Sequence, residues 1–399
     1  MDVRRKHLLR ANIWKLYALE ALQGAIFLIP VLIPFYRENN LSLTQIYLIE
    51  AIFALEIVLL EVPTGYLSDR WGRRNTLIAA TIFWCAGWFW YGAGFSFAHF
   101  LLGELLMGIG SSLSSGTTEA IAYDSLAELS ETQHYRHVAG LRSFFMMLAE
   151  ACASILGGII AFWSLRFSAW LTFGTTICGV LMAISLVEPH RHKLQGTEHM
   201  KEIWKICTHT LFHNVPLRSI IALHAVISTM TLSLFWLTQP YQIAIGLPLA
   251  FFGVMHASIV TIGALAARKT HAIAKTIDDR SFLVFIALTV VGCYFALGAV
   301  SALWGMAFFF LGRIAWAFLS PLTSDMVNRM TNSDVRATVL SIRSLSGRVL
   351  FAAAIPFLGK IADQTGNLSL AFLLVAIVGG TLLLFLFLLI QPVWRNIPS

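Results

Sequence analysis

Gly65-Tyr66-Leu67-Ser68-Asp69-Arg70-Trp71-Gly72-Arg73-Arg74 is a short polar stretch between two long apolar runs, one ending near Thr64 and the next resuming at Asn75. Its charges have to sit at a membrane surface. Gly65 and Gly72 allow a tight reversal of the chain, and Asp69 can accept hydrogen bonds from the free N–H groups at a nearby helix start. Arg70, Arg73 and Arg74 mark the loop as cytoplasmic.

Working outward, 57% of the 399 residues are hydrophobic and only 12% are charged, too apolar a balance for a soluble chain of this size. The net charge of +7 does not point to nucleic acid, because the basic residues are scattered over short loops rather than gathered on one face. The amino-terminal segment has no small-residue cleavage site after its apolar run, so no cleaved signal peptide is expected. The five cysteines include no C-x-x-C pair, which argues against structural disulfides and zinc. Histidines and methionines form no H-x-x-H or M-x-x-M cluster inside an apolar run, so no metal site is expected. No G-x-x-x-x-G-K-[ST] or G-x-S-x-G motif occurs either, and no cofactor is expected.

Twelve apolar stretches reach the roughly 20 residues needed to cross the hydrocarbon core. The first six lie near 13–35, 44–64, 75–94, 97–121, 138–162 and 168–187, and the second six near 219–241, 249–267, 282–298, 302–321, 337–361 and 369–390. With both termini in the cytoplasm, only Arg37, Arg166 and Lys360 of the 28 Lys and Arg residues fall in outer loops, which fixes the orientation. The expected location is the inner (cytoplasmic) cell membrane, multi-pass. The expected organisation is a six-helix bundle over residues 1–187, a cytoplasmic linker over 188–218 with an amphipathic surface helix, and a second six-helix bundle over 219–399.

An internal repeat supports the division. Ala18-Leu19-Glu20-Ala21 answers Ala222-Leu223-His224-Ala225, and Glu50-Ala51 answers His256-Ala257. Leu102-Gly103-Glu104 answers Leu311-Gly312-Arg313, and Leu141-Arg142-Ser143 answers Ile342-Arg343-Ser344. Four matches in order at a nearly constant offset describe two related halves. The order G-x-L-x-D-R-x-G-R-R at 65–74 resembles the loop signature of the major facilitator superfamily, where it joins the second and third membrane helices.

That resemblance implies an all-α membrane protein of twelve transmembrane helices in two pseudo-symmetric six-helix bundles, and a bacterial drug or metabolite exporter-like secondary transporter. It also implies a cytoplasmic latch around Gly65, Asp69, Arg70, Gly72 and Arg73, with Asp124 a partner for Arg73. The chain departs from the family in two places. Glu104 stands where many members have an arginine four residues before a glycine, and the fifth span keeps Gly157 and Gly158 without the proline common in antiporters.

Ionisable groups inside spans cost about 2.5 to 3.5 kcal/mol on insertion scales, so each needs a partner, water or a function. Glu20 and His224, at matching places in the repeat, are the expected proton-coupling pair, or else a static pair between spans. Glu50 and His256, nearer the outer face, are outer-gate candidates. Tyr17, Gln23, Glu104, Ser111, Ser228, Thr231 and Arg313 fall at helical spacing on faces that either line a central cavity or hydrogen-bond to neighbouring helices. The function expected is proton-coupled export of a small, partly apolar molecule by alternating access. Uptake of a nutrient or anionic metabolite on the same fold is the alternative, and a lipid-modifying membrane enzyme lacks its catalytic residues. Expected partners are a small-molecule substrate, protons and the lipid bilayer, with no nucleic acid and a monomeric chain.

Overall fold

A computed structural model describes residues 2–190, 208, 210, 214–274 and 277–391. The helices are α1 (Val3–Gly24), α2 (Leu32–Glu38), α3 (Leu43–Trp71), α4 (Arg73–Ala93), α5 (Phe97–Ser114), α6 (Thr117–Glu128), α7 (Tyr135–Ala161) and α8 (Leu165–Ile184). There follow α9 (Val215–Ala244), α10 (Ala250–Ala274), α11 (Asp279–Ala299), α12 (Met306–Arg329), α13 (Ser333–Thr365) and α14 (Leu368–Ile390). Among the described residues, twelve spans are long and apolar enough to cross a membrane, the first made of α1 and α2 and the fourth of α5 and α6. Most of the linker expected to carry an amphipathic helix lies outside the described residues.

The chain forms two compact units. One contains Met1–Leu41, Ile52–Gln195 and Pro248–Ser258, and the other Ser42–Ala51, Gly196–Leu247 and Ile259–Ser399. Each therefore includes a short segment from the opposite half of the sequence.

In the first unit, Leu16, Leu19, Leu77, Leu113, Ile121, Leu126 and Val138 form one buried cluster. Two spans in this unit are interrupted. The first breaks between Gly24 and Leu32, and α8 answers the freed backbone: Thr172 Oγ1 accepts from Phe27 N at 3.0 Å and Thr175 Oγ1 donates to Ala25 O at 3.2 Å. The fourth breaks at Ser115–Gly116, where Gly116 takes φ +71°, a conformation with little steric cost only for glycine. Thr64, Thr117 and Thr118 donate to the carbonyls of Ser112, Leu113 and Ser114 at 2.9, 2.7 and 3.4 Å. Non-helical backbone is tolerated at membrane depth only where such partners or a cavity satisfy it.

The polar stretch at 65–74 differs from the expected hairpin. Gly65 and Asp69 lie inside α3, which continues to Trp71, and the reversal is made at Gly72 alone, with φ +108°. The N-terminus of α4 is capped from a distance, since Glu188 accepts from Arg73 N at 3.0 Å and Arg74 N at 2.7 Å. Residues 186–190 run as a strap beneath this unit. Asn12 exchanges hydrogen bonds with the Val187 backbone at 2.8 and 3.0 Å, His190 N donates to Glu128 at 2.7 Å, and Arg5 pairs with Glu128. At the opposite ends of the helices, Arg166 donates to Gly92 O, Gly94 O and Asn39 at 2.8, 2.7 and 2.6 Å. Arg166 thus ties these loop segments together.

In the second unit, α9 is largely enclosed, with residues buried along its length from Leu217 to Gln242. Tyr294 donates to Met230 O at 2.7 Å and Tyr241 to Ala302 O at 2.8 Å, fixing α9 against α11 and the following turn. The start of α3 is capped here by Asp363 of α13, which accepts from Leu43 N, Thr44 N and Thr44 Oγ1 at 3.1, 2.8 and 2.7 Å.

Candidate functional site

The break in the fourth span opens onto a polar cavity of about 330 Å³ in the first unit. Its walls come from α1 (Glu20, Gln23), α4 (Trp84), the α5–α6 junction (Ser111, Ser114 to Gly116, Thr118, Glu119) and α7 (Arg142). Arg142 anchors it. Its side chain is only 6% exposed, and it donates from Nε to Glu20 at 3.1 Å and through a second guanidinium nitrogen to the same carboxylate. Glu119 lies 3.6 Å from the same guanidinium with its side chain 57% exposed. Trp84 Nε1 donates to Ser111 Oγ at 3.1 Å, and the Ser114 and Thr118 hydroxyls meet at 3.3 Å.

The residues expected at a cavity therefore separate. Glu20, Gln23 and Ser111 line this one. Tyr17 stacks on Phe145, with centroids 5.6 Å apart. Glu104 is buried among aromatic rings, accepting from Tyr91, whose hydroxyl also meets Tyr36. One turn along α5, the Glu56 carboxylate fills the space above Gly108. Neither Tyr17 nor Glu104 is among the cavity-lining residues.

In the second unit His224 Nδ1 lies 2.9 Å from Thr323 Oγ1 and 3.2 Å from the Arg343 guanidinium, which also donates to Thr323 at 2.8 Å. Thr231 donates to the carbonyls of its own helix at Ile227 and Ser228, 3.1 and 3.0 Å away. The Ser228 side chain packs on Gly347 of α13. Arg313 lies over the Trp316 ring at 4.4 Å and against Gly263.

At the polar stretch Arg73 pairs with Asp124 at 2.9 Å, while Gly65, Asp69 and Arg70 are exposed on the end of α3. Of the expected gate pair, Glu50 is buried and falls in the second unit. His256 falls in the first and meets Glu150 at 3.3 Å.

The sequence places Glu119 among the acids inside spans but gives it no role; it does not single out Trp84 or Glu188, and it leaves Arg142 and Arg343 without partners. The repeat contained the missing signal. Glu20 answers His224 and Arg142 answers Arg343, so a pair in one half predicts a pair in the other, which the structure shows in both units.

The Major Facilitator Superfamily profile matches residues 16–352. The chain belongs to that superfamily and is a multi-pass membrane protein of a transporter family. Among solved structures it is similar to a variant of the nucleoside transporter NupG, at 11% identity over 95% of this chain and 99% of that one, with a TM-score of 0.82. It is similar to a bacterial homologue of the human lysosomal transporter Spinster, inward-facing and unoccupied, at 15% identity over 100% and 99% of the two chains, TM-score 0.74. A D-xylose–proton symporter matches at 13% identity over 97% and 98%, TM-score 0.70. At these identities the likeness establishes the fold. No curated protein matches the chain.

Proposed function

We propose that the chain is a secondary transporter working by alternating access, with the polar cavity at the broken fourth span as the place where its small-molecule substrate is held. One observation carries this reading. A buried carboxylate–guanidinium pair, Glu20 with Arg142, faces a solute-sized space beside interrupted helix backbone. Charges and irregular backbone are costly inside a membrane and mark solute pathways. Protons are the proposed coupling ion and Glu20 the proposed proton carrier, because it alone of the two expected coupling residues lines this cavity. His224 is proposed to hold α9 to α12 and α13 through Thr323 and Arg343.

Export in exchange for protons is the proposed direction, in the cytoplasmic membrane with both termini inside. The polar lining favours a more hydrophilic solute than the partly apolar molecule the sequence suggested. Arg73 with Asp124, held by the Gly72 turn, Asp69 and Glu188, is the proposed cytoplasmic latch, and Glu50 and His256 are the proposed outer gate. The test is transport in proteoliposomes under pH gradients of both signs, comparing wild type with Glu20→Gln and with Ser115→Trp, which fills the cavity. Export coupling predicts flux against the proton gradient that Ser115→Trp abolishes and Glu20→Gln uncouples. Flux indifferent to either gradient removes proton coupling, and flux unaffected by Ser115→Trp removes the cavity.

A further inference from the structure

We infer that the solute taken by this cavity is a small organic cation, with Glu119 as its counter-charge; the inference rests on the cavity being the binding site. The lining carries three fixed charges, Glu20, Glu119 and Arg142. Arg142 is buried and committed to Glu20, bonded to one carboxylate oxygen through two nitrogens. Glu119, 3.6 Å away and with its side chain more than half exposed, is left as one surplus negative charge. Its position in the first turn of α6 suits a carboxylate, because the helix dipole is positive there. Among the described residues lining the cavity, the other charged groups are Glu20 of α1 and Arg142 of α7, while α4 and α5 present Trp84 and serines.

Within low-dielectric walls a surplus charge discriminates strongly among solutes. An anion meets two carboxylates and a guanidinium that is already bonded. A neutral solute leaves the surplus unanswered. A cation answers it, and the rest of the lining suits one: serine hydroxyls and the Gln23 amide oxygen accept from N–H or O–H groups, and Trp84 supplies an aromatic face for an ammonium.

The experiment is calorimetric titration of the full-length protein in lipid nanodiscs with choline, tyramine and spermidine as cationic probes, uridine as a neutral probe and benzoate as an anionic one. At least one cation is expected to bind at pH 8, with affinity at least tenfold weaker in Glu119→Gln and largely kept in Glu119→Asp. No binding by any of the three cations overturns the inference, as does cation binding that Glu119→Gln leaves unchanged. Uridine or benzoate binding that Ser115→Trp blocks, with no cation bound, refutes the substrate class and leaves the cavity standing. A bound probe that Ser115→Trp does not displace refutes the cavity itself.

Discussion

Arg142 reaches from α7 to Glu20 on α1, Nε to carboxylate at 3.1 Å, and the repeat-related Arg343 reaches from α13 to His224 on α9 at 3.2 Å. The same geometric link thus joins equivalent helices in each unit, ionic in the first and with an imidazole in the second. Removing one partner of a buried ion pair leaves a charge stranded in a poor solvent.

Arg142→Met is therefore expected to destabilise the protein by about 3–5 kcal/mol, the range for stranding a buried charge. Glu20→Gln with Arg142→Met together should recover part of that loss. Thermal unfolding of both single variants and the double variant in detergent measures the coupling, and strictly additive losses would show that the pair contributes nothing.

Gly72→Ala is expected to cost more than Gly116→Ala. Both need a positive φ, but Gly72 lies at +108°, outside the left-handed helical well, with the Glu188 carboxylate against the added methyl group. Gly65→Ala, inside α3 and facing open space, should be neutral or stabilising by up to about 1 kcal/mol. Melting temperatures of the three variants should follow that order.

Glu188→Ala removes the acceptors for Arg73 N and Arg74 N, and the loss of a helix cap is worth about 1–2 kcal/mol. Amide exchange at residues 73–76 should accelerate while α5 stays protected. Transport should slow with expression unchanged. Asp69→Asn is likewise expected to insert normally and slow transport, and normal transport rates would end its role in the latch.

Asp278 caps α11 by accepting from Ser281 N at 3.0 Å, which holds its carboxyl below the ordinary carboxylate range. A lowered folded-state value means that the cap contributes fully above the unfolded value of about 3.9. It is lost as pH falls through the lowered one. Exchange at residues 279–282 should rise on acidification in wild type and be insensitive to pH, beyond the intrinsic rate, in Asp278→Ala.

Most of the architecture was legible because crossing a bilayer demands about 20 apolar residues at a time, and no folding detail can disguise that length. The interruptions were harder to see. Ser114-Ser115-Gly116-Thr117-Thr118 reads as a polar patch on a continuous helix, since small hydroxylated residues are tolerated there. Only the left-handed Gly116 and the threonines closing the free carbonyls reveal a break. Partner choice was harder still. Glu20 and His224 are matched by the repeat, but that match does not decide which neighbouring helix answers a charge. Glu119 could be read as one of several acids inside spans, but nothing in the sequence set it apart, because the helix start beside it was not legible.

The strap beneath the first unit sets where the chain can be opened. Glu188 and Val187 belong by contact to the helices above them, although by sequence they begin the connection to the second half. A protease site or tag inserted after His190 would leave those anchors with the amino-terminal fragment. The same insertion three residues earlier would pull the floor from α4, so the two placements should yield a well-behaved fragment and an aggregating one.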